Sequence, residues 1–382
     1  MKFKVMKSSI EGAAVLLSKV INSKNPLPIL GDILCEVSEN TMHMTGGDGE
    51  CSITMCIGLQ EMEGEDSFCI DGGRLLAALR QIPDQRITIT CTTESDHMFT
   101  IEHEDGQMHF MAEEAGDYPV DVEEKWYDPD GFELQSDRIG EAVKRCLWTA
   151  GTNDLQPIMQ SVHFATVKKY NALDIVASNG HTLVRTRLTE WNSHQYDGTM
   201  DATIPTKIAK IMADTLTDDE PMWMRFSTHK GQIETDRYTM TFRLVEGTYP
   251  KYNSVIPSDN PIEACVDSSN LAQSVKRTLP FSNNSSQLLQ LHFEESRLTV
   301  IGDDFDFSTG ARDQIEKISF NCSDPFTIGL KGSTLLKALS YIPNQGVRMK
   351  MSDPSRAVLL EPKFPWKDTE VTILLMPMLI NE

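Results

Sequence analysis

The sequence predicts an α+β chain made of three copies of one domain, and three observations carry this. The chain has 382 residues, more than the roughly 250–300 that one hydrophobic core supports, so two or three domains are expected. A unit of about 130 residues recurs three times along it. Within each copy the apolar pattern switches between the period of a helix and the alternation of a strand.

Each copy opens on a helix: Ser8–Asn22, Ser136–Ala150 and Ser268–Pro280. Ser8, Ser136 and Ser268 are the expected N-caps, since a hydroxyl satisfies a free backbone N–H of the first turn. In the second copy, Ile139, Ala142, Val143, Cys146 and Leu147 share one helical face. A pair of strand runs follows, at 29–37 and 41–57, 159–167 and 172–188, and 288–296 and 297–315. Small polar residues interrupt the second run of each pair: Gly46-Gly47-Asp48-Gly49, Ser178-Asn179-Gly180-His181 and Gly302-Asp303-Asp304. A second helix comes next, within Ile70–Ile82, Ile204–Leu216 and Ile328–Ile342, and alternating strands close each copy. The joints match, as Gly116-Asp117-Tyr118-Pro119 and Gly247-Thr248-Tyr249-Pro250. The expected domains are 1–125, 126–255 and 256–382. Each has two helices and several strands, enough to bury its own core.

Composition narrows the function. No apolar run approaches the roughly 18 residues needed to span a bilayer. The amino-terminal Met1–Lys7 alternates like a strand and lacks a signal core, so a cytoplasmic protein without a membrane partner is expected. The eight cysteines are scattered without C-x-x-C spacing and read as free thiols, not disulfides or a metal site. Neither metal nor cofactor is expected. There is no P-loop, no G-x-S-x-G and no dinucleotide fingerprint, so the chain reads as no enzyme. Asp303, Asp304 and Asp306 could hold a cation, but they lack the distal Glu of a calcium loop and occupy the turn of the repeat.

A net charge of −21 argues against nucleic acid when taken alone. The charge is segregated, however. The six expected helices carry twelve Lys/Arg and five Asp/Glu. A merely solvated face would carry both signs, because mixed pairs support helices. Six basic helices facing one anionic partner explain the pattern. With no recognition helix, zinc finger or stacking platform, the binding would be non-specific and salt-sensitive. Lys144, Lys276, Arg277 and Lys337 are candidate contacts on this ground. A purely protein-binding acidic scaffold stays open as an alternative, although it leaves the segregation unexplained.

These residues resemble the bacterial DNA sliding clamp family, the β subunit of DNA polymerase III. The resemblance rests on Leu27-Pro28-Ile29-Leu30-Gly31, Ser178-Asn179-Gly180-His181-Thr182-Leu183, Tyr249-Pro250-Lys251-Tyr252 with Val255-Ile256-Pro257, and Met376-Pro377-Met378, in this order on a threefold repeat. It implies a head-to-tail homodimer ring around double-stranded DNA, each clamp-type domain giving two inner helices and outer antiparallel sheets. The ring would be a polymerase processivity factor. It implies DNA contacts at Lys24, Arg74, Asn153 and Lys207. It implies a chain–chain contact through Leu279 and Phe281 on one side and Met108 and Phe110 on the other. It further implies a groove between the second and third domains for a linear peptide from the polymerase catalytic subunit, the clamp loader and other clamp-binding proteins. That groove would use Met159, Ser178, Gly180, His181, Thr182, Leu183, Pro250, Ser254, Val255, Leu374 and Met376. Leu183, Val255, Leu374 and the methionines would give an apolar floor, and Gly180 would let a backbone approach. Two departures stand out. Thr182 and Ser254 replace arginines common in the family, and Leu379-Ile380-Asn381-Glu382 extend the tail.

Overall fold

The computed structural model describes residues 1–22, 24–92, 97–119, 124–128, 130–152, 156–189, 191, 199–342 and 346–380. The six expected helices are present: α1 (Lys7–Leu17), α2 (Gly72–Leu79), α3 (Ser136–Leu147), α4 (Thr206–Thr215), α5 (Ser268–Thr278) and α6 (Gly332–Leu339). Each buries one apolar stripe. Ile10, Ala13, Ala14 and Leu17 line α1, Ile139, Ala142, Val143 and Cys146 line α3, and Leu271 and Val275 line α5. Each fully buried Leu or Ile contributes about 1.5–3 kcal/mol relative to exposure.

The helix starts differ from expectation. Ser8 sits inside α1, and its N–H is taken by the Asp84 carboxylate (3.1 Å). Ser268 is the first helical residue of α5, because Asp267 beside it caps instead, accepting from the Asn270 N–H (2.8 Å). Asp71 does the same for α2, accepting from Arg74 N (2.8 Å). A carboxylate next to a serine wins the cap because it accepts a charge-assisted bond. The interrupted second strands are hairpins. Asp48, Asn179 and Asp304 each turn the chain by accepting two backbone N–H groups on one side-chain oxygen, from Glu50 and Cys51, His181 and Thr182, and Asp306 and Phe307. Asp304 is thus a turn residue, as its place in the repeat suggested.

The chain packs as two units, Met1–Asp137 with Asp218–Leu244, and Arg138–Thr217 with Val245–Glu382. The middle repeat is divided between them, and the strand pairing explains why. In the first unit, the second hairpin strand of repeat one, Cys51–Gly58, pairs with the last strand of repeat two, Tyr238–Arg243. The result is a nine-stranded sheet, with a separate five-stranded sheet that ends on Gly106–Met111. In the second unit, the hairpin strand Thr182–Leu188 pairs in the same way with the last strand of repeat three, Thr369–Leu375. This builds another nine-stranded sheet, beside a four-stranded sheet with edges Thr309–Glu316 and Phe326–Lys331. All described strand pairs named here are antiparallel.

Candidate functional site

The second unit carries an apolar cluster at its joint. The register aligns Leu183 with Leu374, and Leu374 with Leu359, across three strands. Val176, Tyr249 and Tyr252 complete the buried cluster, with Ile158 and Ile256 against it. The linker is pinned from below. Tyr252 donates its hydroxyl to Asp174 Oδ2 (2.9 Å), and Arg187 grips the same carboxylate through Nε and Nη2 (2.7 and 2.9 Å). Asp174 is fully buried, so this paired network is what makes its charge tolerable. Tyr249 stacks on His163, ring centres 4.4 Å apart, and His163 Nδ1 bonds Thr203 Oγ1 (3.1 Å). Burial pushes the His163 pKa down to about 4, against opposing pulls from Asp201 and Asp174. Burial likewise raises the phenols of Tyr249 and Tyr252.

A depression of about 410 Å³ opens beside this cluster, lined by His181, Thr182, Leu330, Met376, Pro377 and Met378 among others. It brings together three of the residues expected in a groove: His181, Thr182 and Met376. Leu183 and Leu374, 3% and 5% exposed, are not among its lining residues and belong to the buried cluster. Val255, at 58% exposure, and Met376, at 44%, present the accessible apolar surface. Pro250, Ser254 and Gly180 are exposed and Met159 is half-buried. Ser178 is occupied by the hairpin, its hydroxyl donating to Thr182 O (3.0 Å) and accepting from Gly180 N (3.1 Å). Gly180 has φ +86° and no described neighbour within 4 Å of where a Cβ would stand. That φ by itself favours glycine at this position. Leu330, Pro377 and Met378 were not among the expected groove residues, although Pro377 and Met378 belong to the motif Met376-Pro377-Met378 and Leu330 precedes the second helix of its repeat.

Among the expected cationic contacts, Lys24 lies exposed in the turn after α1. Arg74 is exposed in the first turn of α2, with its cap Asp71 at 3.7 Å. Lys144, Lys207, Lys276 and Lys337 are exposed on α3, α4, α5 and α6. Arg277 is held by a bidentate pair with Asp313 (3.0 and 2.6 Å), which neutralises its charge locally. Asn153 lies outside the described residues. Leu279 and Phe281 form a 3₁₀ turn after α5, where Leu279 is half-buried and Phe281 is 43% exposed. Met108 and Phe110 are half-buried on the edge strand Gly106–Met111. Sequence reading passed over Phe305 and Phe307, which stand 80% and 73% exposed at the third hairpin tip. Two phenylalanines inside a polar turn were the available signal. Among the described residues no group of three or more His, Cys, Asp or Glu could hold a metal ion.

Residues 1–121, 133–251 and 253–379 match the models of the DNA polymerase III beta subunit N-terminal, central and C-terminal domains. Over 381 residues the chain is 20% identical to the beta sliding clamp of Haemophilus influenzae, covering 99% of this chain and 100% of that protein. It is 22% identical over 386 residues to that of Caulobacter vibrioides, with 98% and 100% coverage. A Pseudomonas aeruginosa sliding clamp solved bound to griselimycin superposes with a TM-score of 0.91 at 20% identity, covering all of both chains. A Bartonella birtlesii clamp bound to the same compound gives 0.88, also at 20% identity and full coverage of both.

Proposed function

Because the chain belongs to the DNA polymerase III β-subunit family and so is a sliding clamp, a non-catalytic processivity factor of DNA replication, we propose that two copies close head to tail around duplex DNA. One observation carries this reading. In each of the first two repeats the second hairpin strand pairs with the last strand of the following repeat. The third repeat's equivalent, Thr309–Glu316, has a free edge among the described strands. So does the last strand of repeat one, Gly106–Met111. Free edges are templates for another strand, and pairing these two between copies repeats the rule and closes the set. Burial agrees. Met240 and Phe242, on the paired equivalent strand, are 0% and 1% exposed, whereas Met108 and Phe110 are half-buried. Phe281, Phe305 and Phe307 add apolar surface on the other side of the contact.

Three domains at 1–125, 126–255 and 256–382 then give six in a closed ring. Lys24, Arg74, Asn153 and Lys207, with Lys144, Lys276 and Lys337, are the proposed contacts with the duplex. Their contacts go to phosphates, so binding is sequence-independent and lost with salt. Arg277 contributes less because Asp313 holds it. The depression at the second joint takes a linear peptide from the polymerase, the clamp loader or another partner, with Lys331 in its lining and no arginine at Thr182 or Ser254. The protein works in the cytoplasm. Retention on DNA tests the reading. Clamp loaded on nicked circular DNA stays bound through a high-salt wash and leaves when the circle is cut. Equal loss from circle and linear duplex would contradict encirclement.

A further inference from the structure

On the reading that two copies close head to tail, we propose that Asp303 of one copy holds His109 of the other, and that this pair fixes the register of the strands that meet there. The three repeats supply the register. Two residues before the first helix of each repeat, Val5 pairs with Ile87, Leu134 with Met222 and Val266 with Val347. Two residues further on, the ladders run Ile89, Ile101, Met108 in the first repeat. They run Met224, Ile233, Met240 in the second and Met349, Leu360, Ile373 in the third. Met108, Met240 and Ile373 are therefore equivalent, and so are the residues after them, His109, Thr241 and Leu374.

Across the two joints within the chain, Thr241 pairs with Ser52 and Leu374 with Leu183. Within their own hairpins Ser52 and Leu183 pair with Gly47 and Ser178, the residues just before the turn-forming Asp48 and Asn179. The residue before Asp304 in the third hairpin is Asp303, and its partner is Gly310. The same rule sets His109 of the second copy opposite Gly310. Antiparallel pairing then sets Gln107 opposite Arg312.

The side chains at this meeting point are complementary. Gly310 has no φ in the left-handed range, and glycine inside a strand ordinarily weakens it. The place its Cβ would take is filled by the Asp303 carboxylate. Gly310 thus lets Asp303 lie over the edge strand, one strand spacing from where His109 arrives. Alternation puts the exposed His109 and Gln107 on the face away from Met108 and Phe110. Gly310 and Arg312 likewise point away from Asp313, which is turned to Arg277 of α5. Arg312 meets Gln107 there, with Glu102 as the next residue of that row. A slip of one residue turns every one of these side chains to the wrong face. A slip of two sets Asp303 against Met111 in one direction, and against Gln107 beside Glu102 in the other. Only the register of the repeat gives the carboxylate a partner. Pairs of this exposed kind add little to affinity and act on specificity.

The test uses the full-length chain, with the dimer dissociation constant read by sedimentation equilibrium. Asp303→Lys and His109→Glu should each raise it about a hundredfold, about tenfold for each of the two equal contacts in the ring. The two changes combined restore opposite charges and should return it to within about threefold of the parent. Losses that merely add would overturn the pair. Register is read separately by oxidation, with the exposed Cys56 replaced by serine throughout. Gln107→Cys with Arg312→Cys should give a covalent dimer on a denaturing gel, and Met111→Cys with Arg312→Cys should not. A parent that dimerises while the 107–312 pair stays uncrosslinked overturns the register. A parent that is monomeric at every concentration overturns the ring reading itself.

Discussion

The two joints of the chain share one backbone plan and opposite chemistry. Each hairpin tip has an Asx residue followed by a glycine in the left-handed region, Asp48-Gly49 (φ +91°) and Asn179-Gly180 (φ +86°). Just below the tip the register runs Gly47, Ser52, Thr241, Gln232 at the first joint. At the second it runs Ser178, Leu183, Leu374, Leu359. The first joint carries the larger depression, about 500 Å³ against 410 Å³. Its polar groups already serve one another: Thr45 and Thr54 share a hydrogen bond (2.9 Å), and Gln232 donates to Thr241 (2.8 Å). A greasy peptide laid there would strip water from hydroxyls and gain little. Fold geometry thus supplies the niche twice, and side chains decide that the second joint is the docking site. On the proposed ring, the third equivalent tip, with Phe305 and Phe307, is where the chain would present itself to another copy.

The largest expected effect breaks the third joint. Phe110→Asp puts a charge where the equivalent Phe242 is buried, so it should abolish dimerisation and retention on circular DNA. Sedimentation should show monomer at micromolar concentration with the fold intact by circular dichroism. Next comes turning the second joint into the first. Leu374→Thr should lower affinity for an apolar peptide more than tenfold and cost about 2–4 kcal/mol of stability, between a cavity and an added hydroxyl. The dimer mass should not change. Unaltered peptide affinity would mean that the cluster does not shape the site.

Two smaller effects concern the pinned linker. Tyr252→Phe removes one of three bonds to buried Asp174 and should cost about 1–3 kcal/mol by denaturant unfolding. His163 has a folded pKa of about 4 against about 6.5 when exposed. The unfolded chain therefore binds the extra proton, and stability falls as pH drops from 6.5 toward 4, by about 3 kcal/mol in all. Asp32 acts oppositely. Burial, then Glu113 and Asp71, raise its pKa to about 6, so the folded chain binds the extra proton between about 4 and 6 and gains stability as pH falls there. The difference between the parent and His163→Gln isolates the histidine; parallel pH profiles would remove it from the account. The smallest effect is that of single lysines. Lys24→Ala or Lys207→Ala should each reduce the salt dependence of DNA affinity by about one counterion, with little loss at low salt.

Much of this was legible in the chain. The repeat, the six helices and the residue types of the second joint follow from periodicity and from short motifs such as Ser178–Leu183. The pairing of Cys51 with Phe242 and of Leu183 with Leu374 was not, because strand partners so far apart in the chain leave no local signal. Helix starts misled because Ser268 and its neighbour Asp267 both suit a cap, and only geometry shows which oxygen reaches the N–H. Leu183 and Leu374 read as the apolar floor of a groove, and the structure packs both into a buried cluster with Tyr249 and Tyr252. The exposure of Phe281, Phe305 and Phe307 is a property of the isolated chain that composition cannot reveal.

The central claim is that the free edges Gly106–Met111 and Thr309–Glu316 complete each other between copies. Light scattering of the purified chain across a dilution series tests it most directly. A mass holding near twice 42.9 kDa, and falling to that value in Phe110→Asp, is the predicted result. A parent chain that stays at 42.9 kDa at every concentration would contradict it.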